Sequence, residues 1–180
     1  VAGRHRGRRL RVIPSEILRP TSEKVREAVF DVLGPVAGLS VAELFAGTGA
    51  MGLEALSRGA GRCVFVEGDP TVAAVLLENI AALEYEPVCR VIISGFERAV
   101  AGLVRSSPGF DLLFVDPPYR MLAEVEVRLT PVLSSLVAED GVVVVESAKT
   151  HAVDLGRCPV FDRTYGDTRI TMIRMRRSDP

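Results

Sequence analysis

The order of apolar runs in this chain predicts a doubly wound α/β domain, a mostly parallel sheet with helices on both faces. Three observations carry that expectation. From Ser40 onward, short apolar runs alternate with segments of helical period. Strands that are apolar throughout belong to parallel sheets, which are buried on both faces and need helical crossovers. A glycine-rich turn, Gly47-Thr-Gly49-Ala-Met-Gly52, lies between the first such strand and the helix after it.

Taken in order, Arg8–Ile13 alternates basic and apolar residues, as a short strand with one cationic face would. Pro20-Thr21 then starts a helix, with Thr21 as N-cap and Glu23 an acid in the first turn. Val25, Ala28, Val29, Val32 and Leu33 form its stripe, and Gly34-Pro35 ends it. Val41–Phe45 is the first sheet strand, Ala50–Arg58 a helix stopped by Gly59, and Arg62–Val66 the second strand. A helix over Thr71–Leu83, a strand over Val88–Ile93 and a helix over Phe96–Arg105 continue the alternation. Phe110–Val115 is a fourth strand, and Leu122–Val137 reads as helix broken at Pro131. Val142–Val145 is a buried fifth strand. Val160–Tyr165 and Arg169–Met175, joined by Gly166-Asp167, close the chain as an antiparallel hairpin. The expected organisation is a basic arm, strand and helix over 1–34 packed on a single globular unit over 35–180.

Nearly half of the 180 residues are apolar, enough to bury a core without metal or disulfide staples. Cys63, Cys89 and Cys158 are odd in number and far apart, which points to reduced thiols and away from a metal site. No apolar run approaches a membrane span, and no apolar core follows the arginine-rich start as a signal peptide would require. A cytoplasmic monomer is the expectation. The net charge of −1 conceals an asymmetry. Residues 1–26 carry Arg4, Arg6, Arg8, Arg9, Arg11, Arg19, Lys24 and Arg26 against Glu16 and Glu23, which is +6. The other 14 bases and 21 acids leave the body at −7. A basic arm on an acidic body suits a protein that meets a polyanion at one edge.

Sheets of this kind bind ligands at the carboxyl ends of their strands. At the first such end, Gly47 and Gly49 let the backbone turn tightly beside a ligand, and Gly52 lets the helix lie close to the strand. Glu67 ends the second strand, 20 residues past Gly47, where a carboxylate can accept hydrogen bonds from ribose hydroxyls. The pair indicates an adenosine-containing cofactor, either a dinucleotide or S-adenosylmethionine. Glu43, just before the loop, would repel a pyrophosphate and suits a cofactor bearing an ammonium and a sulfonium; it could equally cap a neighbouring element.

Asp116-Pro117-Pro118-Tyr119 follows the fourth strand. An aromatic exocyclic amine is a poor nucleophile because its lone pair is delocalised into the ring. Acceptors placed for both of its N–H groups draw the nitrogen toward tetrahedral geometry. The Asp116 carboxylate and the Pro117 carbonyl can supply them, with the two prolines stiffening the loop. Tyr119 offers a ring on which an extruded base can stack. With an activated methyl donor, positioning does most of the catalytic work.

With these residues named, the chain resembles the bacterial small-subunit ribosomal RNA guanine-N2 methyltransferases (RsmD type) over nearly its whole length. The resemblance runs through Gly7-Arg-Arg-Leu10, Leu18-Arg-Pro-Thr21, Lys24-Val-Arg-Glu27, the stretch from Leu44 to Arg58, Val66-Glu67 and Phe114-Val-Asp-Pro-Pro-Tyr119. Tyr165-Gly-Asp-Thr-Arg169 matches more loosely, and Asp-Pro-Pro-Tyr is shared with DNA amino-methyltransferases. The resemblance implies a seven-stranded Rossmann-like methyltransferase sheet and transfer of methyl from S-adenosylmethionine to a guanine N2 in 16S ribosomal RNA, free or within the small subunit. It implies that Gly47, Gly49 and Glu67 hold the cofactor, with Glu43, Phe45, Gly95 and Phe96 as further candidates around it, and that Asp116, Pro117 and Tyr119 hold the guanine. Arg4, Arg6, Arg8, Arg9 and Arg11 of the arm would serve the RNA, and Arg19, Thr21, Lys24 and Arg26 would sit near the cleft, for RNA or cofactor. One departure concerns Ser94-Gly95-Phe96, where many relatives carry Asp or Asn to contact adenine. Backbone groups and the Phe96 ring would replace that contact. His5 and His151 have no partner nearby in sequence and are not assigned to catalysis, Asn79 reads as a bridging amide, and Lys149 and Arg169 as solvated surface. Competing readings are a DNA amino-methyltransferase, a nicotinamide dehydrogenase and a non-catalytic RNA-binding protein of the same fold.

Overall fold

In the computed structural model, which describes residues 3–12 and 23–176, the apolar runs become strands and the periodic segments helices. The order is α1 (Glu23–Leu33), β1 (Ser40–Leu44), α2 (Ala50–Ser57), β2 (Arg62–Glu67), α3 (Pro70–Ala82), β3 (Cys89–Ile93), α4 (Phe96–Ser106), β4 (Phe110–Val115), α5 (Leu122–Leu129), α6 (Leu133–Leu136), β5 (Val137–Ala148), β6 (Phe161–Tyr165) and β7 (Thr168–Arg174). The strands form one seven-stranded sheet in the order β3-β2-β1-β4-β5-β7-β6. The chain divides into two compact units, Val1–Phe96 and Glu97–Pro180.

In the first unit β1 pairs with β2, and β2 with β3, all parallel. Val41, Leu44 and Phe65 are fully buried in these strands, with Leu53 of α2 and Leu76 of α3 packed to the same depth. Each such side chain stabilises the unit by about 1.5–3 kcal/mol through burial. Asp69 caps α3, its carboxylate accepting from the Thr71 and Val72 N–H groups at 2.7 and 3.4 Å.

In the second unit β4 and β5 are parallel, while β7 lies antiparallel between β5 and β6. The hairpin turns through Gly166-Asp167, since Tyr165 pairs with Thr168. Pro131 interrupts the helical segment as expected, leaving a one-turn 3-10 helix, Thr130–Val132, between α5 and α6. β5 is longer than its apolar run, reaching back to Val137. The polar Glu139-Asp140-Gly141 stretch stays in the strand because Met175 bonds both sides of it, through Asp140 N–H to its carbonyl and its own N–H to the Gly141 carbonyl.

One expectation changes at the N-terminus. The strand expected from Arg8 does not form: Gly3–His5 is a 3-10 turn and residues 8–12 have no regular structure. The Arg11 backbone pairs with a side chain of α3 instead of a neighbouring strand. The Thr21 cap, and with it Arg19, lies outside the described residues.

Candidate active site

The site residues of the first unit gather at the carboxyl ends of β1, β2 and β3. β1 is followed by Phe45, which adopts a left-handed conformation with φ 59°. A bulky residue holds that conformation at a cost of order 1–3 kcal/mol, a strain associated with functional turns. The turn sets the Phe45 ring on Phe96, with centroids 5.2 Å apart and planes 22° from parallel. Phe96 is nearly buried, and Gly95 beside it is exposed. Phe45 and Phe96 thus form a stacked apolar wall.

Gly47 and Gly49 follow, with φ 55° and 83°, and a side chain on Gly49 would meet the Leu76 methyl at 2.5 Å. Gly49 N-caps α2 but has no side chain to satisfy the first amides of that helix. Glu43 does so from the strand: its Oε1 accepts from Met51 N–H at 3.2 Å and its Oε2 from Gly52 N–H at 2.8 Å. Of the two roles open to Glu43 in the sequence, the structure gives it the cap, at 5% exposure. Burial pushes its carboxyl up to about 8, against the pull of the Gly52 and Met51 amides, and the nearby Glu67 charge pushes it the same way as burial.

Glu67 ties the three loop starts together. Its Oε2 accepts from Gly47 N–H and its Oε1 from Asp69 N–H, each at 2.8 Å, while its backbone carbonyl accepts from Ser94 N–H at 3.0 Å. A carboxylate can accept about four hydrogen bonds, so two given to loop amides leave capacity for a vicinal diol. A half-buried acid, a glycine loop and an aromatic wall fit an adenosine-containing cofactor.

In the second unit Asp116 is half-buried directly beyond β4, Pro117 is buried and Pro118 exposed. Tyr119 opens a 3-10 turn, closed by Met121 N–H donating to the Pro118 carbonyl at 2.8 Å, and is 40% exposed. An exposed ring held on a short turn is available for stacking, where a core tyrosine would not be.

The basic residues divide. Arg4, Arg6 and Arg9 are exposed, as is Lys24 on α1. Arg8 donates to the Ala82 carbonyl at 2.7 Å, and Arg11 pairs with Glu78 of α3. Arg26 departs from the expected RNA-facing set. Its side chain is 12% exposed and lies 3.4 Å from the buried Glu54, which Arg58 also pairs at 2.7 Å. A guanidinium held by a buried carboxylate belongs to the fold. Lys149 and Arg169 pair with Asp167 and Asp162.

Comparison with known proteins places the chain. The family model described as "Conserved hypothetical protein 95" matches residues 1–174. "Ribosomal RNA small subunit methyltransferase D" of Haemophilus influenzae is 39% identical over 131 residues, 72% of this chain and 68% of that one. The chain belongs to this methyltransferase D family. The Escherichia coli K12 protein of the same name is 40% identical over 121 residues, 67% of this chain and 59% of its own length. A solved structure from Thermus thermophilus, described as a hypothetical protein, superposes with a TM-score of 0.82 at 32% identity, covering 96% of each chain.

Within this methyltransferase D member, two features were invisible to motif reading. His151 has a carboxylate partner after all, Glu126 Oε1 at 3.1 Å, brought from α5 across 25 residues of sequence. Asn79 was legible as a bridging amide, but its partners, Arg11 and Thr48, were not. Both belong to contacts between elements, for which a single sequence carries no spacing signal.

Proposed function

We propose that this protein transfers a methyl group from S-adenosylmethionine to the exocyclic N2 of a guanine in small-subunit ribosomal RNA. Membership of the methyltransferase D family supports the reaction class and the RNA substrate. The observation that carries the acceptor chemistry is the Asp116-Pro117-Pro118-Tyr119 turn, with a half-buried carboxylate, a buried proline and an exposed ring in four consecutive residues.

The bound cofactor supplies an electrophilic methyl on a sulfonium. Glu67 would accept from its ribose hydroxyls, the Gly47–Gly49 backbone would lie along it, and Phe45 and Phe96 would face its base. Asp116 and the Pro117 carbonyl accept the two N–H groups of the amine and aim its lone pair. Tyr119 stacks on the guanine. Once methylated, the amine nitrogen would be cationic and acidic, and would lose one proton to solvent or to Asp116. Arg4, Arg6, Arg9 and Lys24 meet phosphates, which positions the substrate without reading its sequence.

The test is transfer of label from S-adenosylmethionine to small ribosomal subunits from a strain lacking the modification, with free RNA, duplex DNA and Asp116→Ala beside them. Label in N2-methylguanosine, reduced about 10²- to 10³-fold by the substitution, is the expected result, the scale of losing one preorganised polar contact at a reacting centre. Label in DNA alone, or in another nucleoside, would overturn it.

A further inference from the structure

The basic arm and the glycine loop meet at one buried amide. Asn79 of α3 is 3% exposed. Its Oδ1 accepts from Arg11 N–H at 2.7 Å, and its Nδ2 donates both to the Arg11 carbonyl and to the Thr48 carbonyl, each at 3.0 Å. The first two bonds hold the arm by both backbone groups of one residue, as a strand neighbour would. The third holds the residue between Gly47 and Gly49, the centre of the cofactor loop.

We propose that Asn79 is a positioning residue that couples the basic arm to the cofactor loop, so that arm docking and cofactor binding reinforce each other. This rests on the reading of the Gly47–Gly49 loop as the cofactor cradle. Three features support the coupling. Both N–H groups of the Asn79 amide are committed, one to each side, so the planar amide cannot turn toward one partner without losing the other. Thr48 lies between two residues in left-handed conformation, where the flanking glycines leave the loop flexible and an external anchor matters most. The arm is also fastened further along, by His5 N–H to Ser57 Oγ at 3.0 Å, by the His5 and Tyr85 rings meeting nearly at right angles, by Arg8 on the Ala82 carbonyl and by Arg11 on Glu78. Its docked state is therefore defined enough to bias the loop.

Coupling is reciprocal: whatever the arm contributes to cofactor affinity, the cofactor returns to arm docking. The docked arm keeps Arg4, Arg6 and Arg9 exposed. RNA contacts on these residues would then be felt at the cofactor loop without any RNA touching it.

The test measures S-adenosylhomocysteine affinity by calorimetry for the full chain, Asn79→Ala, Arg11→Pro and the double variant. Arg11→Pro deletes the arm's N–H donor and alters no residue of the loop or α3, so it carries the test should Asn79→Ala fail to fold. The expected result is a loss of affinity of about five-fold or more for each single variant, the usual lower end of coupling between sites, and no further loss in the double variant. Reciprocally, S-adenosylhomocysteine should slow tryptic cleavage at Arg6, Arg8 and Arg9 in the natural chain and leave the rate unchanged in Asn79→Ala. A merely structural asparagine would lower thermal stability without moving either readout. Equal affinity of Arg11→Pro and the natural chain overturns the coupling while leaving the cofactor reading intact. Absence of S-adenosylhomocysteine binding to the natural chain overturns both.

Discussion

At the scale of single residues, Glu43 shows how a side chain that sequence motifs assign to a ligand can be committed to the fold. It is a buried carboxyl that caps a helix from the preceding strand, and burial raises its pKa to about 8. The folded state therefore holds a proton on Glu43 that the unfolded chain, at the ordinary value of 4.5, releases. Its contribution to stability is complete below that ordinary value, declines as pH rises, and is gone once pH passes the folded value. Thermal midpoints measured at intervals from pH 6 to 9 should fall for the natural chain and fall less steeply for Glu43→Gln. The amide cannot titrate, and it turns a donor toward one of two N–H groups, which should cost about 1–3 kcal/mol at the acid end. Parallel curves would remove Glu43 from the pH dependence.

At the scale of elements, the contact between β1, α2 and β2 leaves no room for a side chain at residue 52. A Cβ there would meet Phe65 Cε1 at 2.5 Å, Cys63 Sγ at 2.6 Å and Glu43 Oε2 at 2.8 Å. All three are buried, so none can swing clear. Gly52→Ala should lower unfolding free energy by about 1–3 kcal/mol in denaturant titration despite alanine's better helix propensity. A gain in stability would show that α2 lifts from the sheet freely. The sequence marked Gly52 for close helix–strand approach, because the glycine spacing after a strand carries that meaning by itself. The β5 boundary and the unformed strand at Arg8 were not legible. In each, the backbone partner, Met175 or Asn79, comes from a distant part of the chain.

At the scale of the whole molecule, charge asymmetry bears on function. The +6 of residues 1–26 is spent in part on internal pairs, with Arg26 on Glu54 and Arg11 on Glu78. Arg4, Arg6 and Arg9 stand exposed on the described arm. Replacing these three by alanine should flatten the slope of log affinity for small-subunit RNA against log salt by about 2–3, at 0.7–0.9 per lost phosphate contact. An unchanged slope in filter-binding titrations would place the RNA elsewhere.

The sequence by itself determined the sheet class, the alternation of its elements, the break at Pro131, the closing hairpin and the strand ends where the glycine loop, Glu67 and Asp-Pro-Pro-Tyr stand. These are local properties, written in hydrophobic period and in backbone-restricted residues. Only the tertiary structure decided that Glu43 caps α2, that Arg26 is held by Glu54, that Phe45 stacks on Phe96 and that Asn79 joins the arm to the loop. Each depends on which distant group a polar or aromatic side chain meets. Burial makes that meeting obligatory, because a buried polar atom must find a partner; the choice of partner lies in the packing of the elements.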